Sequence, residues 1–443
     1  MDKQPRILCI ITMVLLLLTA VQGKWHIIPM RSLKGAVAEV EHPRFLLRTW
    51  ADGSWQQQLD EYLKSNFGFR EVAIRLYNQY LYTCYHKTQN HDLLFGSDGY
   101  MYERYFVEDY YESRMYKYTD DPQELIGMFD LEARRLARLQ SILREQGTYL
   151  FVEISPGKDI LYPEHLPPQD TMTRTPGPRA YPEYLHLFDK YGVEYIDVLG
   201  WFLRIKDSVP FPLMTPLGNH WSNIASVYAF DSIMRFMPTL GGPKVRTVAI
   251  GEPYYGRTRE PDNDLGRLLN VTFTPRQPRC QYVDVVMPPA HATAKPGLVV
   301  IGDSFFWNIK YNFQLDSLFR YTHYWFYNNT VYFDADHHNV ADYDLRQTLV
   351  DADYVMLSYC SGQLYDLGNG FIVDALLAFT TTDEERQAVR DSIFGLIRDD
   401  EHWLQYLEGK SAREGISFEQ AMLNDANYLI HTHPEKYFKQ LNY

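Results

Sequence analysis

Residues 299–308 read VVIGDSFFWN. An uninterrupted apolar run ends at Gly302, Asp303 and Ser304 follow, and a bulky aromatic segment begins at once. A continuous apolar run bounded by a turn signal is the pattern of a strand buried on both faces. This reading puts Ser304 at a strand-to-helix turn, where its own N–H and the helix N-terminus can stabilise negative charge on a substrate oxygen. Gly302 lets the backbone turn sharply and lets a substrate approach. A free hydroxyl is a weak nucleophile at neutral pH, so the turn carries chemistry only with a base beside it. The plainer alternative makes Ser304 a helix N-cap.

Working outward, the same strand pattern recurs between helical ones. A helix over 129–146 places Leu131, Leu136, Leu139, Ile142 and Leu143 on one side, and Gly147 ends it. TYLFVEI (148–154) is a strand, a helix over 181–191 leads to a strand at VEYIDVL (193–199), and a further helix spans about 223–237. NTVYF and YVMLSY (354–359) add strands. Upstream, residues 45–87 read as helical, and LLFGSDGYMYE (93–103) reads as a hairpin. Apolar strands alternating with helices predict an α/β fold with a mostly parallel sheet covered on both faces. From residue 381 the chain is charged and helical in pattern, with Ser417 as an N-cap, and reads as a helical appendage. The expected organisation is an N-terminal segment 1–23, a helical and hairpin part 24–119, a core 120–380 and an appendage 381–443.

In open α/β sheets ligands bind outside the carboxyl ends of the strands. The loop after residue 154, the loop holding His220 and the Gly302-Asp303-Ser304 turn converge there. His220, in TPLGNHWSNIAS, is the candidate base: a histidine just before a helix can titrate near neutral pH and alternate between base and acid. The plainer alternative makes it a satisfied loop residue. An enzymatic reading requires the Ser304 hydroxyl within about 3.5 Å of a His220 ring nitrogen, and an acceptor on the other nitrogen.

Composition narrows the function. The chain of 443 residues carries 43 Lys and Arg against 56 Asp and Glu, a formal charge of −13, and no Lys/Arg-rich run. That excludes a nucleic-acid partner, which requires a basic surface. No phosphate loop, dinucleotide fingerprint or metal-ligand cluster occurs, so no cofactor and no metal is expected. Cys84, Cys280 and Cys360 are widely spaced; one disulfide is open to them in an oxidising compartment, with the pairing undetermined. The 35 Tyr, 24 Phe and 8 Trp suit the faces of sugar rings as well as packing. At the N-terminus, Lys3 and Arg6 precede an apolar run from Ile7 to Val21, with Val21 and Gly23 placed for cleavage before Lys24. The run is short for a span, which favours a signal peptide over an anchor, and either exports the rest of the chain to the periplasm or cell envelope.

The segments SPGKDILYPEHLP (155–167), GNHWS (218–222) and VVIGDSFF (299–306), in that order, resemble the alginate O-acetyltransferase family. The resemblance extends from NFGFREVAIRLYNQYLY (66–82) to DYVMLSYCSGQLYDL (353–367). It implies an SGNH-hydrolase-like, flavodoxin-like sheet and acetylation of an exopolysaccharide. It also implies an acetyl group delivered by a membrane-bound O-acyltransferase partner. By the same resemblance Ser304 is the nucleophile and His220 the base, and Lys158 matches a Pro-x-Lys segment that lines the site. Asn219 is a candidate oxyanion donor, and Trp221 packs beneath the histidine or faces a sugar. The family's acid sits two residues before the histidine, and here Gly218 stands there. Losing that acid can lower turnover by about 10⁴-fold. Asp303 and Asp197 are the nearest carboxylates by sequence logic to replace it, a backbone carbonyl is another orienting group, and loss of catalysis is the remaining alternative. An esterase would use the same residues with water as acceptor, and a non-catalytic polysaccharide-binding or assembly protein would keep the fold alone.

Overall fold

The apolar runs that read as buried strands pair into one six-stranded sheet. The computed structural model describes residues 3–35, 40–111, 117–167, 178–277, 279–289, 295–333 and 338–441. Among these the strands are, in chain order, β1 (Leu93–Phe95), β2 (Met101–Glu103), β3 (Tyr149–Ser155), β4 (Tyr195–Asp197), β5 (Ala249–Ile250), β6 (Tyr254–Gly256), β7 (Cys280–Tyr282), β8 (Val285–Val286), β9 (Leu298–Gly302), β10 (Thr322–Phe326), β11 (Thr330–Tyr332) and β12 (Tyr354–Cys360). The main sheet has the order β11-β10-β9-β12-β3-β4. All its pairings are parallel except β10–β11, which closes one edge as a hairpin. The chain is thus α/β in its core, with a helical C-terminal region.

Strand β12 lies between β9 and β3, and all seven of its residues are buried, as are all five of β9. Burial on both faces requires helices on both sides, and this is why these strands read as unbroken apolar runs. The helices Pro122–Glu145 and Ala180–Tyr191 pack against each other, and Asn223–Phe236 packs against Phe306–Asn312. The parallel register puts Gly302 of β9 beside Ser358 of β12, and Ser358 beside Glu153 of β3. The carboxyl ends of the three central strands therefore lie side by side.

Three local readings change. The helical region 45–87 is three helices, Leu47–Ala51, Ser54–Asn66 and Arg70–Tyr85, because Gly53 and Phe69 both take positive φ between them. The strand expected over 193–199 is limited to β4, because the Asp197 carboxylate caps a helix Val198–Ile205 by accepting the Gly200 N–H at 2.8 Å. Strand β10 was not foreseen: THYWF is amphipathic in neither period, and its place beside β9 makes it a strand. All four cysteines are free, so no disulfide forms; Cys280 and Cys360 are buried and Cys84 is exposed.

The helices Asp383–Asp399, Glu401–Glu414 and Phe418–Thr432 pack on one another, and Ile393, Leu407 and Ala426 join the same apolar cluster as the sheet. Arg135 of the helix Pro122–Glu145 pairs with Glu435 at 3.0 Å, and His431 pairs with Asp374 at 2.8 Å. The region is thus docked on the core by apolar burial and by charge.

Candidate active site

Strand β9 ends at Gly302, a position tight against Ser358 of the neighbouring strand, where any side chain would collide with that residue. Asp303 then turns inward. Its carboxylate accepts the Phe305 N–H at 3.0 Å and the Cys360 N–H at 2.7 Å, and Tyr324 donates its hydroxyl to the Asp303 carbonyl. These bonds fix the turn and leave Ser304 half-exposed at the head of the helix Phe306–Asn312. Burial is the main influence on the Asp303 carboxyl and pushes it up, against the two amides that favour its charged form.

His220 comes from a loop held by both its neighbours. Trp221 is buried, donates its indole N–H to the Phe305 carbonyl at 3.2 Å and accepts on its own carbonyl from Asn308 at 3.0 Å. Ser222 caps the helix Asn223–Phe236 through the Ala225 N–H. Trp221 therefore ties the histidine loop to the serine helix, which is the packing role and not the sugar-facing one. The His220 Nε2 lies 2.8 Å from the Ser304 Oγ, and its Nδ1 lies 2.6 Å from the Asp264 Oδ2.

Neither carboxylate named from the sequence is the one on the imidazole. Asp303 is committed to two backbone amides, and Asp197 caps a helix and accepts the Tyr181 hydroxyl. Asp264 reaches His220 because residues 259–266 are stitched along the histidine loop. Thr215 donates to the Asp262 carbonyl at 2.6 Å, and the Asp262 carboxylate takes the backbone and side-chain N–H groups of Asn223, each at 3.0 Å. The Gly266 N–H bonds the Leu217 carbonyl, and the second Asp264 oxygen accepts the N–H groups of Asn219 and Leu265 at 2.7 and 2.8 Å. The same stitching explains Gly218. A Cβ there would lie 2.6 Å from the Thr215 Oγ1 and 3.1 Å from the Pro261 carbonyl oxygen, so Thr215 and the arm that carries Asp264 together fill the space a side chain at 218 would need.

Lys158 does not line the site and is not at the surface. It is wholly buried and donates to the carbonyls of Met101, Pro216 and Gly218 at 2.7, 2.8 and 2.7 Å. Burial drives its ammonium down to about 7, while Asp264 and Glu103 act in the opposite sense. Three carbonyl acceptors at these distances require three N–H donors, so the geometry is that of the protonated form. It joins the β2 hairpin to the backbone just before His220. Asn219 donates its amide to Glu103 Oε2 at 3.0 Å and lines the cavity of Ser304 and His220.

These groups open on a cavity of about 440 Å³ lined by Glu103, Tyr105, His220, Asp264, Ser304 and Tyr327. Its rim carries Lys34, Glu260 and Arg267, with Glu260 paired to both cations. Burial is the largest influence on His220 and opposes its charged form. The hydrogen bond and charge of Asp264, with Glu103 and Asp303, outweigh it and raise the imidazole above its usual 6.5. Glu103 is pushed up, chiefly by burial. Glu103 and Asp264 are the site residues that the sequence did not single out. The one signal for Asp264 was the turn-rich stretch GRTREPDNDLG (256–266), lying between the candidate base and the candidate nucleophile. Among the described residues no cluster of three or more His, Cys, Asp or Glu can hold a metal ion.

A hydroxyl, an imidazole and a carboxylate in series at the carboxyl edge of a parallel sheet can remove a proton from the hydroxyl and return it to a leaving group. That arrangement defines the class of serine-dependent hydrolases and acyltransferases. Residues 117–321, which contain all three groups, match the family model of the SGNH hydrolase-like domain, acetyltransferase AlgX. Similar solved structures include the O-acetyltransferase domain of Pseudomonas putida AlgJ, at 12% identity and a TM-score of 0.42, covering 62% of this chain and 92% of that one. Bacillus cereus PatB1 follows at 16% identity and 0.34, covering 54% and 91%. Pseudomonas aeruginosa AlgX is similar at 10% identity and 0.36, covering 63% and 65%. No curated protein sequence matches the chain.

Proposed function

We propose that the protein is an exported O-acetyltransferase that modifies a polysaccharide through an acetyl-enzyme on Ser304. The observation that carries the reading is the unbroken hydrogen-bonded series Ser304–His220–Asp264 opening on a cavity. His220 Nε2 takes the Ser304 proton as the hydroxyl oxygen attacks the donor's carbonyl carbon. Asp264 holds the Nδ1–H tautomer and stabilises the imidazolium. The Ser304 N–H at the head of its helix faces the developing oxyanion. As the tetrahedral intermediate collapses, His220 returns the proton to the leaving group. A sugar hydroxyl then attacks the ester carbonyl as His220 takes its proton; the bond from the acyl carbon to the Ser304 oxygen breaks, and His220 returns the proton to that oxygen, restoring both groups. Residues 120–380 serve as the catalytic core and 381–443 as an appendage. The acetyl donor is a membrane-bound O-acyltransferase, and the remainder of the chain works in the periplasm or envelope, a reading that the apolar N-terminal helix supports.

The absence of an acid at position 218 was the argument for a protein that only binds polysaccharide, and Asp264 at 2.6 Å supports the enzymatic reading instead. Incubating the full-length protein in detergent micelles with a chromogenic acetyl ester tests it. The expected result is a Ser304-dependent gain of one acetyl in the intact mass. Turnover should fall by at least about 10³-fold in both Ser304→Ala and His220→Ala. An inert wild type that takes up no acetyl would sink the mechanism. Release of acetate with no transfer to added oligosaccharides would point to an esterase.

A further inference from the structure

We propose that the N-terminal helix is retained as a membrane anchor, clasped by the domain it carries, and that this clasp holds the mouth of the acyl-transfer site at the bilayer surface. The delivery role rests on the acetyltransferase reading; the anchoring does not.

The helix Lys3–Trp25 contains a stretch, Arg6–Trp25, of mean hydropathy 2.1, and its apolar side chains from Ile7 to Leu18 stand exposed. Twenty helical residues rise about 30 Å, the thickness of a bilayer's hydrocarbon core. Lys3 and Arg6 at its head match the positive-inside rule, which sends the rest of the chain across.

The far end of the helix is built into the domain. Gln22 is buried and makes a reciprocal pair with Ile28: its amide donates to the Ile28 carbonyl at 2.7 Å, and the Ile28 N–H returns to its side-chain oxygen at 3.0 Å. Gly23 lies against the turn between the helices Ser54–Asn66 and Arg70–Tyr85, where a Cβ would come 2.9 Å from the Gly68 nitrogen and 3.0 Å from the Asn66 carbonyl oxygen. Reciprocally, a Cβ on Gly68 would collide with the Thr19 carbonyl oxygen and with Gln22. Two glycines thus interlock the helix with the domain at the residues where a signal would be cut. Val21 and Gly23, the positions a signal peptidase reads in an accessible small-residue segment, are held in the helix and packed.

Around the clasp lies what a bilayer interface takes. Trp25, Ile27, Ile28 and Phe67 are exposed, and the Lys24 ammonium sits 5.0 Å over the Trp25 ring. The next helix leaves Val72, Leu76 and Tyr80 exposed at four-residue spacing, one stripe of its surface. Aromatic and apolar residues gathered at the end of a spanning helix, with a lysine beside them, form an interfacial belt.

The clasp also leads to the site. From Trp25 the chain runs to Lys34 and Gly35, which line the cavity of Ser304. Arg75 holds the carbonyls of Arg31 and Ser32 at 2.8 and 2.9 Å, and Lys34 exchanges two hydrogen bonds with Asn270. The strap from Trp25 to Lys34 spans at most about 30 Å. The cavity mouth therefore stays within that distance of the membrane end of the helix, close to a donor embedded in the bilayer.

Expressing the complete chain with a C-terminal tag in a bacterial envelope tests the anchor. The expected result is an intact mass that keeps residues 1–23, in membranes that resist a carbonate wash. Gly68→Leu, which breaks the interlock, is expected to release a chain cut between residues 21 and 28 into the soluble fraction. A wild-type chain that begins at Lys24 and is soluble overturns the proposal. Reconstitution of the full chain into vesicles with brominated lipids reads the interface separately: Trp25→Phe should remove a measurable share of the quenching, and no change overturns the interfacial placement. Turnover of a soluble acetyl ester keeps the readings apart. A cleaved but active chain sinks the anchor alone, and a membrane-held but inert chain sinks the chemistry alone.

Discussion

The edge of the sheet and the excursion between the helix Asn223–Phe236 and β9 each bring an aspartate close to the same histidine, and they use it oppositely. Asp303, adjacent to the candidate nucleophile in sequence, turns its carboxylate away into the sheet and is consumed by the amides of Phe305 and Cys360. Asp264, remote in sequence, takes the His220 Nδ1 because Asp262, two residues earlier, is pinned to Asn223. Asp303 comes directly after β9, and its carboxylate is spent on holding the turn that presents Ser304, which leaves it unable to orient the base. The excursion is free of that restriction and can wrap the histidine loop from outside.

Asparagine at each position measures this difference most directly. Asp264→Asn is expected to lower ester turnover by about 10³- to 10⁴-fold with little change in melting temperature, because it removes the tautomer and charge control of the imidazole. Asp303→Asn is expected to lower melting temperature and activity together, because it disturbs the amides that hold the turn. If the two variants lose activity equally with unchanged melting, the division between an orienting and a structural aspartate is wrong. The pH–rate profile sharpens the point. Turnover needs neutral His220, and its proton is held above the usual 6.5, so the rate should fall as pH drops through a midpoint above that value. In Asp264→Asn the residual rate should show that midpoint moved lower.

A second test asks whether the excursion has displaced the acid from position 218. Gly218→Asp is expected to lose about tenfold or more in turnover, since Thr215 and the arm at Pro261 and Asp262 leave no room for its side chain. It should also fail to rescue Asp264→Asn in the double variant. Recovery of turnover in the double variant would show that both places can supply the acid.

The smallest effect concerns the sheet alone. Burial is the main reason the Glu153 carboxyl rises to about 8, with the hydroxyls of Ser155 and Ser358 bonding to it in the opposite sense. A folded state that binds this proton more tightly than the unfolded one loses stability as pH climbs from the ordinary carboxylate range through 8. Glu153→Gln should reduce the fall in melting temperature between pH 5 and 8.5 by about 2 °C. An unchanged difference would mean that the carboxyl does not titrate there.

The sequence by itself determined the class of fold, the hairpin at 93–103, the positions of the serine and the histidine, and an apolar N-terminal helix. Each of these is written in local pattern: unbroken apolar strands for a sheet covered on both faces, a glycine turn after β9, a capped helix after Trp221. Tertiary structure alone decided the rest. Lys158 looks like a loop lysine until the β2 hairpin and the histidine loop close their carbonyls around it. Asp264 is one acid among 56 Asp and Glu residues until the Thr215–Asp262 and Asn223–Asp262 bonds lay its segment along His220. Gly218 reads as a lost acid until the space beside it is seen to be occupied by Thr215 and that same segment. Hydrogen bonds to buried carboxylates and ammonium groups depend on position in space to within tenths of an ångström, and no periodicity along the chain encodes that.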